Sequence, residues 1–210
     1  MSAEEAGVPP AVVDPRVMRD VLGHFVSGVT VVTATGADGP AAAGVDPRVM
    51  RDVMGHFASG VTVVTAAGAE GPVGFTCQSF SSLSLDPPLV VIAPARSSRT
   101  WPRLRELGRF CVNVLAEDQP GLSATFAGSS ADRFAGVGWR PSPLGQPVLD
   151  GVVAWIDCAL WAEYDGGDHT LVAGRVLDLG AEPRRRPLLF HRGGYGLLGN
   201  GALDDGAGIA

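Results

Sequence analysis

The sequence predicts a mainly β protein, an antiparallel barrel carrying a few short helices. Three observations point there. Short runs rich in Val, Ile, Thr and aromatic residues recur along the chain, punctuated by Gly and Pro, the pattern of many short strands joined by tight turns. Strand-like and helix-like patterns do not alternate, which disfavours a doubly wound parallel sheet. And GVVAWIDCALWAEYDGGDHTLVAGRVLDLG forms two long strand patterns folded about one Gly-containing turn.

Taken in order, the chain first says one thing twice. VDPRVMRD runs from Val13 to Asp20 and again from Val45 to Asp52. Aligning Val13–Pro40 with Val45–Pro72 leaves four mild differences: Leu22/Met54, Val26/Ala58, Thr35/Ala67 and Asp38/Glu70. A solenoid stacks three or more units, so two copies indicate a tandem duplication. Each copy is a helix pattern followed by a strand pattern. In the second, Asp46 is placed to cap a helix and Pro47 to begin it. Val49, Met50, Val53, Met54 and Phe57 share one face, Gly60 closes the helix, VTVVTAA is a β-branched strand and GAEG a hairpin turn. Only the second copy runs on into further strands, PVGFTCQSFSSLSL. A barrel has one place for its first strand, so residues 45–198 are assigned to the domain, 1–44 to an extension outside the core and 199–210 to a flexible tail.

PLVVIAP is then a buried strand ended by Pro94, and RTWPRLRELG a short helix ended by Gly108. RFCVNVLA alternates, with Phe110, Val112 and Val114 on one face. QPGLSATFAG is a short helix, the two long strands follow, and PLLFHRGGYGLL is a last strand and turn.

Composition bounds the function. With 46% hydrophobic and 18% charged residues, a chain of 210 builds a packed core. A net charge of −6 argues against nucleic acid as a partner. No apolar run approaches the ~20 residues that cross a bilayer. The acidic MSAEEAGVPP lacks the apolar region of a secretory signal. Cys77, Cys111 and Cys158 form no C-x-x-C pair, so neither metal nor a disulfide framework is expected, and a reducing cytoplasm fits. There is no G-x-G-x-x-G after a strand and no P-loop; GSSADRFAG lacks the P-loop lysine.

Four places carry potential chemistry. GFTCQSFSSLSLDPPLV is crowded with hydroxyls in an extended segment, which a solvated face also explains. ARSSRTWP sets hydroxyls and arginines at a strand-to-helix junction, which suits a phosphate or ordinary capping. GDHT puts His169 in a tight turn, by default a surface residue. ADRFAG sets Arg133 beside Phe134.

Together and in this order, these blocks resemble the flavin reductase family, the small components of two-component flavin-dependent monooxygenases. The resemblance covers about Val45 to Leu198 and is carried by SxSLDPPL, FxVNVL and GDHT in combination. It implies a split β-barrel, antiparallel and Greek-key-like with a few short helices. It also implies a homodimer with two sites near the subunit interface, FMN or FAD as the flavin, NADH or NADPH as hydride donor, and a partner monooxygenase that receives reduced flavin. By the resemblance, Thr76, Cys77, Gln78 and Ser79, with Ser82 and Ser84 nearby, line the isoalloxazine and ribityl chain. Ser97, Ser98, Arg99 and Thr100 hold the phosphate end, and Asn113 and Phe126 stand near the flavin. His169 stands by the nicotinamide as the catalytic candidate, with Tyr195 close to it.

Two departures stand out. The family usually has Thr-Ala-Asn-Ser where this chain has Thr76–Ser79, so Gln78 adds a methylene beside the ring. The family often carries arginine around the C-terminal tyrosine, where this chain has RGGYGLL. Hydride passes from nicotinamide to flavin, so no protein nucleophile is needed, in keeping with the absence of a Ser/His/Asp order. A tight flavoprotein acting on another substrate, or a flavin carrier without turnover, is compatible with the same barrel.

Overall fold

The computed structural model describes residues 13–33, 44–130 and 132–197; the predicted tail at 199–210 lies outside them. Seven antiparallel strands form the main sheet, in the order β3-β2-β6-β9-β10-β5-β4. They are β2 (Thr62–Gly68), β3 (Gly71–Cys77), β4 (Ser81–Leu85), β5 (Pro88–Ile92), β6 (Arg109–Val114), β9 (Ala154–Gly166) and β10 (His169–Ala181). β3 and β4 are opposite edges of this sheet, yet only Gln78–Phe80 separates them in the chain. Laid flat, seven strands would put these edges about 29 Å apart, while the chain from Cys77 to Ser81 spans at most about 14 Å. The sheet must therefore curl into a barrel left open along one seam, between β3 and β4.

Two clusters fill it. One, inside the curl, gathers Val64, Phe75, Val90, Ile92, Phe110, Val112 and Ile156. The other, on the opposite side of β2 and β6, gathers Val63, Cys111, Leu115, Phe126, Leu149 and Leu188. β6 is thus buried on both faces rather than one, and its only exposed residue is Arg109. Three helices close the ends: α1 (Pro15–Leu22), α3 (Trp101–Leu107) and α4 (Pro120–Ala127). Gly108 ends α3 at φ 67°, the left-handed turn that favours glycine. A short hairpin absent from the sequence reading, β7 (Trp139–Pro141) with β8 (Pro147–Leu149), covers the second cluster. Its turn is fixed by Ser142, which donates to the Asp157 carboxylate on β9 and accepts from Leu144 N and Gln146 N. Burial pushes the Asp157 carboxyl up to about 6.

The repeat resolves in a way that differs from the expectation. The strand of the barrel is the second copy's, as β1 (Ser59–Gly60) and β2; Val29, Val31 and Val32 of the first copy are exposed. The helix in the core is the first copy's. Met18 and Val21 of α1 are buried against β4 and β10, with Leu22 and Phe25 packed beside them. Residues 1–44 are therefore not wholly outside the core. The second copy's helix, α2 (Pro47–Met54), buries no side chain at all. It ends at Met54, where Gly55 N donates to Arg51 O, instead of running on to Gly60. The chain needs His56–Ala58 to turn into β1, which pairs with β11 (Leu189–His191) of the C-terminal hairpin formed with β12 (Gly194–Gly196).

Candidate active site

A cleft of about 2030 Å³ runs along the open seam. One wall is β3 and its continuation through Ser81, where the outer backbone edge of the sheet is exposed to a ligand. The other is the loop from Ala93 to Thr100 and the first turn of α3. His169, Phe126 and Arg133 also line it. Thr76, Cys77, Gln78, Ser79, Ser97, Ser98, Arg99, Thr100, Phe126 and His169 are thus brought to one cleft.

Each is held by identifiable contacts. Thr76 Oγ1 donates to Ser123 O at 2.7 Å, tying β3 to α4. Ser79 Oγ donates to Ala93 O and accepts from Ala93 N, clamping the two walls together. Gln78 Nε2 donates to Ser59 Oγ at 2.8 Å, so the longer side chain is tied back to β1. Cys77 is buried, and burial raises its thiol above the ordinary value. Ser98 Oγ accepts from Thr100 N and Trp101 N, which fixes the start of α3. Gly74 is required by crowding: a Cβ there would sit 3.0 Å from both Val64 O and the Phe126 ring.

His169 begins β10 directly after the turn. Its Nδ1 lies 2.7 Å from Asp168 Oδ1, so Nε2 is the nitrogen offered to a ligand. The histidine hydrogen bond holds Asp168 below the usual carboxylate range. The turn is anchored to the opposite loop by Arg96 N to Asp168 O at 2.9 Å and by the Arg96–Asp165 ion pair at 2.8 Å.

Four predicted residues fall outside the cleft lining. Asn113 is fully buried: Nδ2 donates to Val63 O, Thr65 Oγ1 and Pro147 O, and Oδ1 accepts from Leu149 N. With donors and acceptor all used inside the second cluster, it supports the barrel instead of touching a ligand. Ser82 and Ser84 lie on β4 beyond the cleft, Ser82 exposed and Ser84 half-buried. Tyr195 reaches the site indirectly: its hydroxyl donates to Ser123 Oγ at 3.0 Å, and its ring meets that of Phe190, a residue of the cleft lining, at 5.7 Å between centroids.

One side chain of the cleft, singled out in the sequence only for standing beside Phe134, has no role assigned there. Arg133 Nη1 donates to Gly74 O and Thr100 Oγ1, each at 2.8 Å, while Nε and Nη2 donate to Gly128 O at 3.0 and 2.7 Å. One guanidinium thus joins β3, the α3 loop and the end of α4. Its sequence signal was only an arginine after a Gly/Ser-rich stretch, because main-chain acceptors leave no mark in a sequence.

The charge of the cleft is opposite to that of the chain. Arg51, Arg99, Arg103, Arg133 and Arg192 line it against two acids, Glu70 and Asp132, in a protein of net charge −6. A flat ring carrying a phosphorylated tail fits this arrangement: hydroxyls and backbone edge along β3, arginines at the α3 loop. Among the described residues no group of His, Cys, Asp and Glu is placed to hold a metal ion. No helix among them is long and apolar enough to cross a membrane.

Comparison with known proteins agrees with this geometry. The family model described as the flavin reductase like domain matches residues 54–199. The chain is 50% identical over 187 residues to the reductase subunit HsaB of a flavin-dependent monooxygenase of Mycobacterium tuberculosis, covering 88% of this chain and 83% of that one. It is 45% identical over 196 residues to a flavin reductase of Pseudomonas putida, covering 93% and 97%. Among solved structures, an NADH:FAD oxidoreductase of Streptomyces globisporus in complex with NAD and FAD fragments is 40% identical. It superposes with a TM-score of 0.70 over 79% of this chain and all of that one.

Proposed function

Because the chain belongs to the flavin reductase family, we propose that it is an NAD(P)H:flavin oxidoreductase that releases reduced FMN or FAD to a partner monooxygenase. The observation that carries this reading is the meeting of Thr76–Ser79, Ser97–Thr100 and His169 in one arginine-lined cleft. When bound, the nicotinamide supplies a hydride that the flavin accepts. The chain's own residues bind, orient and exclude water. The β3 edge offers hydrogen bonds to a ring lying along the seam, and the Thr76 and Ser79 oxygens, whose protons go to Ser123 O and Ala93 O, stand beside it as acceptors. Arg99, Arg103 and the Ser97 hydroxyl supply charge and donors for phosphates. His169, anchored at Nδ1 by Asp168, positions the nicotinamide end through Nε2. Arg133 holds the walls at a fixed separation, which ring stacking at about 3–3.5 Å requires.

The buried free thiols fit a reducing cytoplasm. The family resemblance implies a homodimer. Stopped-flow mixing of the protein with NADH or NADPH and free FMN or FAD tests the activity. Flavin bleaching well above the uncatalysed rate is expected. No acceleration with any of the four pairs refutes the reductase reading.

A further inference from the structure

A flavin mononucleotide uses only part of the cleft. Thr76–Ser79 suit its ring and Ser97–Thr100 its phosphate, and the nicotinamide takes a further share at His169. Beyond these the lining takes in Phe134 and Trp139, for which neither the ring nor a single phosphate has a use.

Trp139 is the chemically distinctive part. Indole rings are mostly buried in folded chains, yet this one is 40% exposed. Its position is fixed all the same. Gly138 O, just before it, accepts from Asp150 N at 3.0 Å, and Trp139 pairs with Leu149 across the β7–β8 hairpin. Its ring ends a ladder of edge-to-face contacts. Phe126 meets Phe134 at 5.0 Å between centroids and 88°, and Phe134 meets Trp139 at 6.2 Å and 80°. The ladder starts in the core, where Phe126 is 1% exposed, and ends in the cleft wall. An edge-to-face contact covers at most one face of a ring, so Phe134 leaves the indole at least one face for a flat ligand. A held, uncovered aromatic face in a binding cleft is a stacking platform for a nucleobase.

The root of the ladder coincides with the phosphate end. Gly74 lies against Phe126, and its carbonyl accepts from Arg133, whose Nη1 also donates to Thr100 Oγ1. The four hydrogen bonds of that guanidinium all go to neutral oxygens, so no carboxylate bonded to it cancels its charge. With Arg99 and Arg103 in the same lining, this stretch carries more positive charge than one phosphate requires, and a pyrophosphate matches it.

We infer, on the reading that the chain is a flavin reductase, that Trp139 is the adenine platform of a dinucleotide flavin. FAD lies with its ring along β3, its pyrophosphate among Arg99, Arg103 and Arg133, and its adenine stacked on Trp139, so FAD is preferred to FMN. The adenylate is the flavin's and not the nicotinamide nucleotide's, because the ladder arises where Arg133 joins Gly74 to Thr100 of the phosphate loop, whereas the nicotinamide end is at His169 on the turn before β10.

The test is calorimetric titration of the full chain with FAD and with FMN, for wild type, Trp139→Ala and Trp139→Phe, alongside the KM for NADH. FMN lacks the adenylate and is the internal control. Wild type should bind FAD more tightly than FMN. Trp139→Ala should weaken FAD by roughly 5–150-fold, the equivalent of about 1–3 kcal/mol for one stacked base, and leave FMN affinity as it was. Trp139→Phe keeps an aromatic face and should recover most of the loss. The proposal is overturned if FAD and FMN weaken together, which would make the indole a support of the cleft wall. It is overturned if both affinities hold, and equally if they hold while the KM for NADH rises, which would give the platform to the nicotinamide nucleotide. Titration needs no turnover, so the two readings fail separately. Loss of FAD preference in Trp139→Ala without flavin reduction in wild type keeps the platform and refutes the reductase, and reduction of both flavins with equal affinities in wild type does the reverse. Binding of neither flavin overturns both.

Discussion

Replacing Arg133 by alanine removes four hydrogen bonds to three acceptors: Gly128 O, Gly74 O and Thr100 Oγ1. Bonds from a charged donor contribute about 1.5–3 kcal/mol each where they are buried. Arg133 is half-buried, so water replaces part of each, and about 1 kcal/mol per acceptor is a fair measure. The total, about 3 kcal/mol, divides between the fold and the cleft, because two of the three acceptors, on Gly74 and Thr100, are in the cleft walls. A share of about 1.4–2.8 kcal/mol on binding corresponds to roughly 10–100-fold weaker flavin affinity. Lysine keeps the charge but has no planar fork, so it cannot span three segments; Arg133→Lys should recover only a minor part. Flavin fluorescence titration gives the affinity, and a thermal melt gives the share taken by stability. Unchanged flavin affinity in Arg133→Ala, or full recovery by lysine, refutes the positioning role.

Three further outcomes are expected. His169→Ala should lose about 1.4–3 kcal/mol of transition-state stabilisation, roughly 10–150-fold in kcat/KM for the nicotinamide, with flavin affinity little changed; equal efficiency would return His169 to a surface residue. Gly74→Ala forces Val64 O or the Phe126 ring to move and should cost about 1–3 kcal/mol, read as a lower Tm together with weaker flavin binding; a neutral result would show that Phe126 rotates away freely. Asp157 has a folded pKa near 6, above its ordinary 3.8, so the native state holds its proton more tightly than the unfolded chain. Stability therefore falls as pH rises from about 4 through 6 and is flat above. Melts of wild type between pH 4.5 and 7.5 should slope downward over that window and those of Asp157→Asn should not; parallel curves would dismiss the assignment.

The strands were legible wherever local pattern decides them. β2, β3, β9 and β10 announce themselves by β-branched residues and Gly turns, and α3 by the Gly108 stop. What could not be read was the choice between α1 and α2. Two segments with the same caps and the same apolar face carry no local information about which one is buried. Only the direction in which each leaves the antiparallel bridge between Ser27 and Ser59 decides it, and that is a property of the whole barrel. The lining of the candidate cleft was legible at Thr76–Ser79, Ser97–Thr100 and His169, where hydroxyls and a histidine are offered by turns and edges. Asn113 misled because a polar residue in an apolar strand signals either a ligand contact or a buried hub, and its four hydrogen bonds make it the hub. Arg133 stood out beside Phe134 but without a role, because its acceptors are mostly backbone.

The three cysteines have a chemical consequence. Free reduced flavin reacts with dioxygen and yields peroxide, so a protein that releases it is bathed in an oxidant of its own making. Peroxide attacks thiolates, not thiols. Cys77, Cys111 and Cys158 are all buried, and desolvation holds each thiol above its ordinary pKa. Even at Cys77, which borders the cleft, burial favours the protonated, unreactive thiol. The barrel thus keeps sulfur beside the candidate cleft without exposing it to sulfenic acid formation, and repeated turnover in air should leave all three thiols titratable after unfolding.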